Sequence, residues 1–321
     1  MDKKIFLEQM KLFENNYITL FSNIDNLEKK QNIGMTKNKI CRFCGLDETK
    51  TTFNTIAHAI PECLGNKTII CLDECDICNK EFSENIEVHL DKITLPYRTI
   101  NLIKGKKKIP SYKTQNQKAR IDIEDVQKRF FKIEAREDSD FIKLNEKENS
   151  INIEYDLQSH IPSAAYKALV KMSLSVMPNS ELENFTIMNS WIQEKNHSKS
   201  FMNPLKVLMT FIPGINPLKK TIIFLFKRHS SDNKYPECTF VIAFGNIMYQ
   251  IVVPTNNEIK QVQSTKTILK FLSPFEINWV LGEPVHNILD WSQNTILKGH
   301  KQYMEFSYDE MKKLDPKSIK L

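Results

Sequence analysis

Apolar residues recur every three to four positions near the N-terminus, at Phe6, Met10, Phe13, Tyr17, Leu20, Ile24 and Leu27. No Pro or Gly interrupts residues 3–31, so this spacing predicts one long helix or a helical hairpin packing along a single stripe. Beyond residue 121 the pattern changes to short β-rich runs at 129–134, 151–155, 206–212, 221–226, 238–244 and 248–253. Two helices interrupt them. One lies at 163–177, with Ala165, Ala168, Leu169, Met172 and Val176 on one face. The other runs over 180–195 with Ser180 as N-cap and Leu182, Phe185 and Trp191 inward. Gly245-Asn246 between two apolar runs predicts a tight hairpin.

Between these regions the pattern is shorter and richer in chemistry. Thr51 to Ile60 reads as a strand ended by Pro61, Leu64-Gly65-Asn66 as a turn, and Thr68 to Cys71 as a second strand. Asp73 or Asp76 is placed to cap a helix continuing through CNKEFSENIEVHLDKI, with Phe82, Ile86 and Leu90 on its inner face. The chain thus divides into a helical segment at 1–36, a strand–strand–helix module at 37–95, a connector at 96–120 and an α/β domain at 121–321. The expected class is α+β, with a C-terminal mixed α/β domain.

Cysteine spacing adds a metal to this outline. Of seven cysteines, Cys41/Cys44 and Cys75/Cys78 form two Cys-x-x-Cys pairs separated by 30 residues. Two knuckles of this kind supply four thiolates, the number that a closed tetrahedral zinc site requires. No open ligand position remains, so this Zn²⁺ is expected to hold structure rather than perform chemistry. The N-terminus lacks an uninterrupted apolar core of the signal-peptide type, and no apolar run suits a bilayer. A cytoplasmic, reducing location with no membrane partner is therefore expected, where paired cysteines read as metal ligands. Cys63, Cys71 and Cys238 read as buried small hydrophobes. His89 reads as an exposed helix residue.

The order Cys-x-x-Cys, then Ala57-His58-Ala59-Ile60-Pro61-Glu62 with Leu64-Gly65-Asn66, then Cys75-x-x-Cys78-Asn79-Lys80, resembles the zinc-knotted HNH endonucleases of the ββα-metal class. The resemblance covers roughly residues 38–95. It implies an endonuclease that hydrolyses phosphodiester bonds in DNA. His58 would be the general base and Asn79 a ligand to a catalytic divalent ion, Mg²⁺ or another. It further implies a role in restriction or anti-phage defence. Many members of that family carry an acidic metal ligand just before the motif histidine; here Ala57 stands there. Glu62 is the first substitute carboxylate, ahead of Asp73 and Glu74.

The net charge is +6, a mild excess that permits a polyanionic partner. Its placement is more telling: residues 104–120 hold seven basic side chains and no acidic one. Lys104, Lys106, Lys107, Lys108 and Lys113 are candidates for phosphate contact, and Tyr112 for base stacking. Some HNH enzymes cut one strand per site, so the N-terminal helix is a candidate homodimer element. The C-terminal domain is the candidate place for a regulatory ligand or partner protein. The competing expectation is a non-catalytic, zinc-dependent nucleic-acid-binding protein.

Overall fold

The computed structural model describes residues 3–24, 28–136, 138–231, 234–265 and 282–310. The side chains of Phe6 and Met10, together with Leu27, lie outside what it describes. The chain is a mixed α+β protein, and its contacts divide it into two units. Unit one comprises residues 1–110 and 159–297; unit two comprises 111–158 and 298–321. The boundary expected at 120/121 therefore falls elsewhere. Most of the presumed C-terminal domain packs with the cysteine-rich region, because the segment 159–297 buries its apolar face there.

In unit one, helix α1 (Lys3–Asn16) gives way at once to strand β1 (Tyr17–Ser22), where a continuing helix was expected. The Asn16 side-chain Nδ2 donates back to the Leu12 carbonyl at 2.6 Å, and the Asn16 backbone carbonyl accepts from His229 N at 2.8 Å. The β-branched and aromatic run after it finds a partner strand, which local spacing cannot foresee. Phe13 and Tyr17 stack and pack with Phe226, Val241 and Met248 inside the same unit. Phe13 and Tyr17 are therefore used within the chain.

Strand β2 (Gln31–Ile33) pairs in parallel with β3 (Ile69–Cys71). Helix α2 (Asp76–Phe82) runs through a π-helical turn at Ser83–Glu87 into α3 (Val88–Ile100). The helix passes Pro96 because Ile93 to Thr99 are buried; that burial outweighs one lost backbone bond. Unit two holds β4 (Tyr112–Lys113), β5 (Ala119–Asp125), β6 (Phe130–Ala135), β7 (Ile142–Asn145) and β8 (Ser150–Asp156). These form two three-stranded sheets, ordered β4-β5-β6 and β14-β8-β7, where β14 is Lys301–Ser307.

Back in unit one, α4 (Pro162–Val176) is buried along its whole length and packs against α3 and α5 (Thr186–Ile192). Ahead of α5, Asn179–Phe185 is a 3-10 turn with Pro178 at its N-cap, so Ser180 does not cap a helix. Among the described residues, a six-stranded antiparallel sheet completes the unit in the order β1-β10-β11-β12-β9-β13. Its further strands are β9 (Lys206–Phe211), β10 (Leu218–Arg228), β11 (Cys238–Gly245), β12 (Ile247–Val252) and β13 (Val285–Asp290). The β11–β12 hairpin pairs Phe244 with Ile247, leaving Gly245 and Asn246 as the expected two-residue turn. No helix among the described residues is long and apolar enough to cross a membrane.

Candidate functional site

The four paired cysteines come together. The Sγ atoms of Cys41, Cys44, Cys75 and Cys78 lie within 4.8 Å of one another, with Cys44 and Cys75 at 3.7 Å. A tetrahedral ion at the usual zinc–sulfur length separates its sulfurs by about 3.8 Å. The surroundings suit thiolates as well. Cys75 N donates to Cys41 Sγ at 3.4 Å and Cys78 N to Cys75 Sγ at 3.5 Å. A hydrogen bond from the Cys78 thiol pulls the Cys41 pKa down to about 5, while burial pushes Cys44 up to about 11. Four thiols this close cannot all ionise on their own; a bound divalent cation is what allows it. These residues therefore could hold a metal ion such as zinc.

The helix start depends on the same residues. Cys75 is the N-cap of α2, in place of the expected aspartate. Asp76 instead accepts from the Thr52 hydroxyl and from Asn54 N and Thr55 N. Those bonds, with Asp76 N to Thr52 O, satisfy the 52–55 backbone without a β-ladder. That is why the strand expected over Thr51 to Ile60 shrinks to a bridge between His58 and Ile70.

The bridge sets His58. Ala59 N donates to Ile69 O at 3.1 Å and Cys71 N to Ala57 O at 2.8 Å, so His58 and Ile70 form the non-hydrogen-bonded pair between them. Ala57 and Ala59 are 2% and 0% exposed, and alternation turns His58 to the opposite, open side. Its side chain retains 21% exposure. The His58 Nδ1 is buried with no hydrogen-bond partner among the described residues. Burial holds the imidazole below its ordinary pKa, against the opposing pull of Glu62.

His58 opens onto a cleft of ≈ 510 Å³. One wall is His58 with the 3-10 turn Glu62–Leu64, and Glu62 Oε2 lies 3.8 Å from His58 Nε2. The other wall is the helix, whose residues Asn79, Ser83, Glu87 and Asp91 fall four apart and line the same space. The π turn at 83–87 keeps that four-residue stripe facing the cleft. Arg98 joins the two walls, pairing with Asp91 at 2.6 Å and donating to Cys63 O at 3.3 Å.

The three residues expected to be catalytic, His58, Glu62 and Asn79, are thus brought to one cleft. Asp73 and Glu74 are not: both are buried away from it, in ion pairs with Arg42 at 2.7 Å and Lys171 at 3.0 Å. Of the basic connector, Lys106 lines the cleft, while Lys104, Lys107, Lys108 and Lys113 are exposed. Tyr112 is corrected. It is 0% exposed, its hydroxyl donates to Asp156 O at 2.9 Å, and it packs on Phe141 and Tyr155, so no base can stack on it. His89 is also not the exposed residue expected; it is half-buried and its Nδ1 accepts from Ile161 N at 3.0 Å.

Two groups escaped the sequence. Glu87 and Asp91 were legible as a four-residue continuation of Asn79. Lys171 carried no signal: it sits on an apolar helix 113 positions from His58, yet its Nζ reaches the His58 carbonyl at 3.2 Å. Among the described residues, the cysteines are the one group of three or more His, Cys, Asp or Glu ligand atoms gathered tightly enough for a metal. Compared with known proteins, the chain matches no family model, no curated protein and no solved structure.

Proposed function

We propose that the protein is a metal-dependent HNH-type endonuclease that hydrolyses phosphodiester bonds in DNA, with zinc at the four cysteines and His58 as general base. The observation that carries this reading is the placement of His58. It stands alone on the open face of a short hairpin, opposite the Asn79–Glu87 helix wall, and the cysteine cluster ties that helix to the preceding loop. An imidazole whose pKa is lowered by burial is neutral at pH 7 and able to accept a proton from water.

The cleft is lined by the carboxylates of Glu62, Glu84, Glu87 and Asp91 and by Lys80 and Lys106. Carboxylates alone repel a phosphodiester. They suit a hard cation, which is commonly held by one or two carboxylates together with substrate phosphate and water. Glu62 and Asn79 are the residues that would hold it, with Glu62 standing in for the carboxylate missing at Ala57. When bound, such an ion supplies charge neutralisation at the scissile phosphate. The chain's own groups do the rest. His58 orients and deprotonates the attacking water, Glu62 lies beside its Nε2, and Lys80 and Lys106 hold flanking phosphates.

Digestion of plasmid DNA with Mg²⁺ or Mn²⁺ tests this. Wild type is expected to nick or cut, and His58→Ala to lose about 100-fold or more, the usual contribution of a general base. Equal cutting by the two proteins refutes the assignment of His58. If neither cuts but both shift DNA in a salt-dependent way, the non-catalytic binding reading replaces it.

A further inference from the structure

Lys171 is the least expected group near the cleft. Its side chain is 1% exposed, in the middle of α4, a helix buried along its whole length. The ammonium donates to the His58 carbonyl at 3.2 Å and is ion-paired with Glu74 Oε2 at 3.0 Å and Glu87 Oε1 at 3.2 Å. Burial opposes the charge, but the two carboxylates outweigh it and raise the Lys171 pKa, so the group stays protonated.

These partners come from three separate parts of the candidate site. Glu74 precedes the N-cap cysteine of α2, Glu87 stands on the helix wall of the cleft, and His58 supplies the other wall. The His58 carbonyl is available because the bridge to Ile70 is a non-hydrogen-bonded pair, which leaves that group pointing away from β3. A buried ion pair is rarely the most stable filling of a core; apolar residues of like volume do as well or better. Lys167, one turn earlier on the same helix, is the internal contrast. It too is buried, yet it bonds the Glu194 carbonyl at 2.7 Å and covers Trp191, touching neither wall.

We propose that Lys171 is a positioning residue for the nuclease site: it fixes His58 against Glu87, so that α4 completes a site which residues 37–95 do not form alone. This rests on the reading of His58 as general base. A bare Lys171→Met change strands the buried Glu74 carboxylate, so the informative variant is Lys171→Met with Glu74→Gln, which removes one charge of each sign.

The test uses the full chain as wild type, His58→Ala, Lys167→Met and the double variant. It measures metal content, DNA affinity, the cleavage rate at saturating DNA, and the His58 ring signal in a proton–carbon NMR spectrum, assigned by its loss in His58→Ala. The double variant is expected to keep its metal and DNA affinity, move the His58 signal, and cut about 100-fold more slowly, the loss typical of a displaced catalytic group. Lys167→Met keeps the wild-type rate and signal. A double variant that cuts at the wild-type rate with an unmoved His58 signal overturns the positioning role while the nuclease reading stands. If wild type cuts nothing, the nuclease reading fails; a moved signal then still supports the positioning role, and an unmoved one overturns it. Should the double variant lose its metal, Lys171→Arg decides, because a larger planar guanidinium cannot occupy the place of the compact ammonium between the same three groups. A slow, metal-loaded Lys171→Arg supports the proposal, and a wild-type rate overturns it.

Discussion

Replacing Arg42 by Met probes how the cysteine knuckle is tied to the rest of unit one. The guanidinium is 1% exposed and meets Asp73, 5% exposed, through two bonds of 2.7 and 3.0 Å. Its Nη1 also donates to the carbonyls of Leu174, Ser175 and Met177, at 2.8, 2.8 and 3.2 Å. These carbonyls close the C-terminal end of α4, where the orphan acceptors and the negative end of the helix dipole favour a cation. Met fills similar volume but leaves three carbonyls without this donor, and Asp73 with the Cys71 thiol at 3.4 Å. Removing one partner of a buried pair costs about 3–5 kcal/mol. That is a large part of the 5–15 kcal/mol by which a domain is usually stable, roughly. The assay is urea denaturation of metal-loaded protein, with metal content measured on the same samples so that loss of the ion is not mistaken for loss of the pair. Asp73→Asn and the Arg42→Met, Asp73→Asn double variant complete a cycle, in which the double variant is expected to cost less than the sum of the singles. A loss below about 1 kcal/mol for Arg42→Met, the worth of a surface ion pair, refutes the reasoning.

Three further outcomes follow from the same packing. Burial lowers the pKa of His89 and His197 from 6.5 to about 4, with Lys92, Lys167 and neighbouring histidines adding to it. The unfolded chain then binds protons that the folded one refuses, so stability is full above pH 6.5 and falls as pH drops toward 4. Urea midpoints from pH 7 to 4.5 should show a shallower slope in a His89→Asn, His197→Asn variant, and equal slopes contradict the prediction. Gly245 has φ +56°, and a Cβ there would stand 2.5 Å from Asn101 Cγ, whose amide is fixed on Tyr97 O at 2.8 Å. Gly245→Ala should lose about 2–4 kcal/mol, more than left-handed strain alone; a loss under about 1 kcal/mol would mean that Asn101 moves aside. On the zinc reading, a strong chelator should lower the melting temperature and Zn²⁺ restore it, whereas Cys238→Ser, remote from the cluster, should leave metal content unchanged.

The chemistry-bearing stretch was legible because its signals are local. Two Cys-x-x-Cys pairs foretell a four-thiol cluster, since each knuckle is a single turn, and the two pairs do meet. Alternation about His58, the stop at Pro61 and the helix after Cys75 need only near neighbours, as does the Gly245-Asn246 hairpin. Local spacing failed where a partner strand or a buried face from far along the chain decided the outcome. The stripe from Phe13 through Leu20 obeys a helical period, yet β1 forms because β10 offers it a ladder. Tyr112 sits in a basic, polar-looking segment, yet the core of unit two takes it. Sequence alone therefore determined the cysteine cluster and the open-face histidine. Tertiary structure decided that α4 lies beneath them and brings Lys171 to the His58 carbonyl. A charge on an apolar helix has no meaning until packing supplies its partners.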